Sequence, residues 1–154
     1  MVNQPGCWAS SSVAILYDWQ NVRGTQYQLQ CLMRFACKLG TIAFKGVYAH
    51  WRRENFQLEE FFDELGFECF NVPSSKCKKN NVDEKLITHC KQHVLNNPDI
   101  TTVILLSGDG DFKGIVCDLK AKGKKVIVVA ECSEKASKKL VSLADEFHLL
   151  KQLC

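Results

Sequence analysis

Short apolar, β-branched runs alternate with amphipathic stretches along the chain, and the alternation is regular enough to assign elements from it. Val13–Tyr17 predicts a first strand that stops abruptly at Asp18. Tyr27–Leu39 follows as a helix, with Leu29, Leu32, Met33 and Ala36 at helical spacing and Gly40 as its C-terminal cap. Thr41–Trp51 reads as the second strand. Asn55 can cap the next helix, whose apolar face is Phe56, Leu58, Phe61, Phe62 and Leu65 before Gly66 ends it. Phe67–Val72 is the third strand, and Pro73–Asn81 a polar, lysine-rich loop. Val82–Leu95 is helical through Val82, Leu86, Ile87, Cys90 and Val94, and Pro98 marks its end. Thr101–Leu106 is nearly all apolar, the pattern of a strand covered on both faces in a parallel sheet, and it stops at Ser107-Gly108-Asp109-Gly110-Asp111. A helix over Phe112–Lys122, a fifth strand over Lys125–Ala130 and a last helix over Ala136–Ala144 lead to Phe147–Leu150.

Strand–helix–strand units at this spacing predict right-handed crossovers and an α/β domain of three layers, an open, mostly parallel sheet of about five strands with helices on both faces. A length of 154 residues suits a single domain over 1–154. Folds of this type bind ligands beyond the carboxyl ends of the strands. Three aspartates fall there: Asp18 after the first strand, Asp109 and Asp111 after the fourth. If those strands are neighbours their ends lie about 5 Å apart and the carboxylates converge. Asp83, opening the helix after the third strand, emerges from the same edge. Clustered carboxylates repel, and a proton or a hard divalent cation, Mg2+ or Mn2+, relieves them. Each residue also has a plain structural reading. Asp111 can cap the following helix and Asp83 can answer a helix dipole, whereas Asp18 at the end of a buried strand is costly without a partner or a ligand.

Asp18-Trp19-Gln20-Asn21, Val82-Asp83 and Ser107-Gly108-Asp109-Gly110-Asp111-Phe112 together resemble the NYN domain, of the LabA-like branch, in the PIN-like nuclease superfamily. The resemblance extends to Gly123-Lys124-Lys125-Val126 and Ala144-Asp145-Glu146-Phe147. It implies a metal-dependent ribonuclease fold in which a metal-bound water attacks the phosphodiester. On that basis Asp18, Asp83, Asp109 and Asp111 are the expected metal ligands, and Asn21 and Ser107 would orient ligands or phosphate. Two positions depart from the family pattern: Trp19, expected beside the metal and able to stack on a base, and His89, where relatives often carry a second acid. A catalytically weak RNA-binding or regulatory module of the same fold is the alternative.

Charge sharpens the expected partner. The net charge is +3, but setting the four aspartates aside leaves the other side chains with an excess of seven positive charges. Arg23, Arg52, Arg53, Lys76, Lys78, Lys79 and Lys113 all fall near the carboxyl edge, and with Trp19 they are the candidate nucleic-acid contacts. Basic side chains around an acidic centre suit a phosphate backbone approaching a cation. Other phosphoryl-transfer readings fit poorly. A receiver needs an aspartate where Val72-Pro73 stands, a haloacid-dehalogenase-like site needs one where Gln20 stands, and no glycine-rich turn follows the first strand for a dinucleotide. No apolar run approaches the roughly 18 residues of a membrane helix, and the first residues resemble no secretory leader, so a cytoplasmic location is expected. The nine cysteines, an odd number without a CxxC pair, predict neither a disulfide framework nor a zinc ribbon. Cys31, Cys37, Cys69, Cys90 and Cys117 fall within apolar periodicity and are expected to act as small hydrophobes. A homo-oligomer or protein partner is compatible with the sequence, which names neither.

Overall fold

A computed structural model describes residues 11–74 and 81–154. Among them six strands, β1 (Ser12–Asp18), β2 (Thr41–Ala49), β3 (Glu68–Asn71), β4 (Ile100–Leu106), β5 (Lys125–Ala130) and β6 (Glu146–Leu149), form a parallel sheet in the order β3-β2-β1-β4-β5-β6. The β1–β4 pairing anticipated from the aspartates is present, with Tyr17 opposite Leu106. Strand order reverses between these two, which makes their carboxyl ends the switch point of the sheet. The short β6 was not legible as a strand, because Glu-Phe-His-Leu gives only two apolar positions. It pairs Phe147 and Leu149 with Val128 and Ala130 of β5.

Alternation along the inner strands divides the core in two. Val13, Ile15 and Tyr17 of β1, with Ile104, Leu106, Ile127 and Val129, pack on one face against α1 (Gln26–Leu39) and α2 (Phe56–Glu64). Ala14 and Leu16, with Val103, Leu105, Val126 and Val128, face α3 (Asn81–Cys90), α4 (Lys113–Ala121) and α5 (Lys138–Leu143). The helices begin where the sequence supplies caps. Thr25 and Gln28 close a reciprocal capping box on α1, and Asn55 Oδ1 accepts the Gln57 N–H at 2.9 Å on α2. The predicted third helix is longer than α3 because its last turn, Lys91–Leu95, widens to π-type geometry. Gly66 and Gly123 end α2 and α4 with φ of 84° and 79°, the left-handed region where glycine is favoured. Lys124 beside the second is buried, its Nζ donating at 2.6 Å to the carbonyls of Asn97 and Ile100 at the entry to β4.

The cysteines require a correction. Cys31 on α1 and Cys154 form a disulfide, their Cα atoms 5.1 Å apart, because the final 3-10 turn, Leu150–Leu153, packs on α1. Spacing along the chain carries no trace of that packing. Cys37 and Cys117 are exposed rather than apolar-face residues, Cys69 is half-buried, and only Cys90 of the expected small hydrophobes is both free and buried. No helix among the described residues is long and apolar enough to cross a membrane.

Candidate metal centre

Asp18 ends β1 on the face turned to α3, and the strand buries it to 4% exposure. Its Oδ2 accepts the Ser107 hydroxyl at 3.1 Å, while its Oδ1 is buried with no hydrogen-bond partner. Burial, opposed by the Ser107 hydrogen bond and reinforced by the negative charge of Asp109, pushes the carboxyl up to about 7. Ser107 accepts the Asp109 N–H at 3.2 Å, so one hydroxyl ties the ends of β1 and β4 together. Asn21 makes a second tie, its Oδ1 accepting the Gly108 N–H at 2.8 Å. Both polar residues therefore act here by holding the two loops in register.

The segment after β4 is a tight 3-10 turn, Gly110–Phe112, capped by Asp109, whose Oδ1 accepts the Asp111 N–H at 2.9 Å. The capping role expected of Asp111 thus falls to Asp109. Gly108 has a steric reason to be glycine. A Cβ there would lie 2.8 Å from the Lys135 carbonyl oxygen and 2.9 Å from the Ala136 Cα, and its own carbonyl accepts the Ser137 N–H at 2.8 Å. Gly108→Ala should therefore push the two loops apart, lowering stability by about 1–3 kcal/mol and loosening the aspartates. Urea unfolding together with a divalent-metal titration checks it, and an unchanged pair of midpoints would contradict the close approach.

Asp83, in the first turn of α3, is buried and comes within reach of this turn. One carboxylate oxygen from each of Asp83, Asp109 and Asp111 fits within a 4.8 Å span. Burial raises the Asp83 pKa, and a hydrogen bond that its carboxyl donates to Asp111 and the charges of Asp109 and Asp111 raise it further, against the Glu84 N–H. Asp18, Asp83 and Asp109 also line one cavity of about 230 Å³ with Gln20, Asn21 and His50. The four aspartates predicted at this edge are thus brought together, Asp83 and Asp109 belonging to both groupings. An all-oxygen donor set, crowded enough to hold protons and including an unpartnered buried oxygen, fits a hard divalent cation.

A family model for the NYN domain matches residues 12–151. The chain belongs to the NYN-domain family. This family lies in the PIN-like superfamily of nucleases, whose members use divalent metals. Among solved structures, a protein of unknown function from Vibrio parahaemolyticus is 24% identical, with a TM-score of 0.78 over 92% of this chain and 94% of that one. An apo levoglucosan dehydrogenase is matched at TM-score 0.41 and 15% identity, over 90% of this chain and 33% of the other. A search of curated proteins found no match.

Several expected contacts of this NYN domain lie elsewhere. Trp19 is a core residue, 3% exposed and edge-on to Phe62 with ring centroids 5.3 Å apart, so it cannot stack on a base. Its backbone turns the strand end inward, the Trp19 N–H donating to the Tyr48 carbonyl. Arg23 lies with its guanidinium 5.4 Å from the Trp19 ring and 2.6 Å from Glu54, an ion pair that pins the β1–α1 loop to the turn after β2. Lys113 begins α4 behind Gly110. Lys76, Lys78 and Lys79 lie outside the described residues. His89, whose Nδ1 meets the Tyr48 hydroxyl at 3.0 Å, sits among Tyr48, Phe70 and His93. Burial, Lys85 and His93 lower its pKa.

The sequence reading missed Gln20 and His50. His50 was hidden because Thr41–Trp51 was expected to run on as a strand. β2 ends at Ala49, and His50 opens a 3-10 turn, Trp51–Arg53, at the edge already searched for the aspartates. Trp51 anchors that turn, buried against Phe62.

Proposed function

We propose that this NYN domain is a divalent-metal-dependent endoribonuclease that uses Mg2+ or Mn2+ to hydrolyse RNA phosphodiesters. The observation that carries the reading is the convergence of Asp18, Asp83 and Asp109 on one cavity, with Asp18 Oδ1 buried and unpartnered. Asp18, Asp83, Asp109 and Asp111 would hold the cation. When bound, it supplies charge neutralisation at the phosphoryl oxygens and acidifies a water for attack. The remaining work belongs to the chain itself. Ser107 fixes Asp18 through Oδ2 and leaves Oδ1 available, and Asn21 keeps the β1 loop against Gly108. The Asp83–Asp111 hydrogen bond holds the first turn of α3 against the turn after β4. Neither departure from the family pattern obstructs this arrangement, since Trp19 is in the core and His89 is engaged with Tyr48.

The test is cleavage of a labelled single-stranded RNA in Mn2+ and in Mg2+ by the wild type and Asp18→Asn, purified identically. The expected result is cleavage by the wild type and a loss of about a thousandfold or more in the variant, as removal of several kcal/mol of charge stabilisation implies. No cleavage across several RNAs would sink the nuclease reading in favour of a binding module. Equal cleavage by both proteins would expose a contaminant.

A further inference from the structure

A second cavity of about 230 Å³ adjoins the aspartate cavity, and His50 lines both. Its other walls include Arg52, Arg53, Asn71, Val72 and Ser74, so it carries two cations and no carboxylate. The turn that presents them is built rigidly. The Trp51 N–H donates to Asn71 Oδ1 at 3.0 Å, the His50 ring is held by the Val72 carbonyl at 2.6 Å from Nδ1, and the Arg53 N–H closes on the His50 carbonyl. The Val72 carbonyl can only accept, so Nδ1 carries the proton and Nε2 is the ring nitrogen left for other partners.

The charge at this turn is uncompensated by design of its neighbours. Of the four arginines in the chain, Arg23 pairs with Glu54 and Arg34 donates to the Cys31 sulfur. Glu54 is the carboxylate next in sequence to Arg53, and Arg23 occupies it. Among the described residues Arg52 and Arg53 form no ion pair. Guanidinium groups in a polar recess, one residue away from a candidate metal centre, match the planar two-point recognition of a phosphate.

We propose that the Arg52–Arg53 cavity is a phosphate subsite, which holds a backbone phosphate flanking the one presented to the aspartates. This inference rests on the nuclease reading and deepens it. The substrate class becomes an RNA strand engaged through more than one phosphate, with His50 between the two positions.

Binding and turnover test it separately. In EDTA, where cleavage is suppressed, the anisotropy of a short fluorescein-labelled single-stranded RNA reads affinity alone. The Arg52→Ala/Arg53→Ala variant should bind about tenfold or more weakly, as loss of charge-assisted contacts implies. Its slope of log affinity against log salt should flatten by about 0.7, one single-strand phosphate contact. Lys38→Ala/Lys122→Ala removes equal charge from exposed residues at the ends of α1 and α4 and should match the wild type. Equal losses in both variants, or none in the arginine variant, would overturn the subsite. Displacement of the RNA by a nucleoside monophosphate at the same affinity would overturn it too, since a single phosphate would then suffice. In Mn2+, the arginine variant should raise KM about tenfold and leave kcat within about twofold. Arginine-dependent binding with no cleavage by the wild type would sink the nuclease reading and leave the subsite standing. Cleavage with an unchanged KM would do the reverse.

Discussion

Asp18→Asn should make the metal-free protein more stable at pH 8 while removing its activity. The carboxyl titrates at about 7 in the fold against 3.8 for its ordinary value, because burial disfavours its charge. A raised pKa fixes the sign: the fold is favoured while the group is protonated, and that advantage is lost as pH rises from about 4 through about 7. By pH 8 the ionised carboxylate, with only Oδ2 hydrogen-bonded, weighs against folding by about 4 kcal/mol, at 1.36 kcal/mol for each pKa unit. An asparagine carries no such charge, so the variant should melt about 10 °C higher than the wild type at pH 8 in EDTA, and at the same temperature near pH 4. Thermal melts of both proteins at the two pH values decide it. A variant less stable at pH 8 would mean that Asp18 is a structural anchor rather than a residue held ready for a cation.

The second large effect concerns Asp109. Asparagine at this position can still accept the Asp111 N–H through Oδ1, so Asp109→Asn should keep the 3-10 turn and lose only the charge. The wild type should be stabilised by Mn2+, by about 2.7 kcal/mol when the metal is at a hundred times its Kd. In melting temperature that is a rise of about 5–10 °C for a chain of this size. Asp109→Asn should show almost none of it, and calorimetric titration should give an affinity lower by about a hundredfold or more. An unchanged metal-induced rise would overturn the assignment of this residue as a ligand. The pH dependence of the same titration should show tighter uptake as pH rises through about 7, since protons and cation compete for Asp18.

The parts of this architecture that rest on periodicity were legible in the sequence. Apolar runs located five strands, and the residues after their carboxyl ends included Asp18, Asp109 and Asp111, because a charged side chain closing a buried strand is visible without coordinates, while Asp83 was read from the opening of the following helix. Side-chain direction was not legible. Trp19 follows Asp18 and looks as if it flanks the cation, but the turn sends it to the opposite core, against Tyr17 and Phe62. Arg23 has a basic side chain at the right edge, yet its partner Glu54 lies 31 residues away and only the fold brings them together. His50 was lost to a strand end misplaced by two residues, and the Cys31–Cys154 bridge to a sequence separation of 123. Apart from that strand end, each miss depends on a contact between distant segments, which no local pattern encodes.

The Ser107–Asp18 tie spans 89 residues and joins strands separated by two complete strand–helix units. During synthesis, β1, β2 and β3 are made before β4, and until then Asp18 has neither its hydroxyl partner nor the facing Asp109 turn. A nascent chain that stops short of β4 therefore lacks an assembled carboxylate centre. The order in which the elements are made therefore withholds the assembled carboxylate centre until β4 and the turn carrying Asp109 and Asp111 have been made.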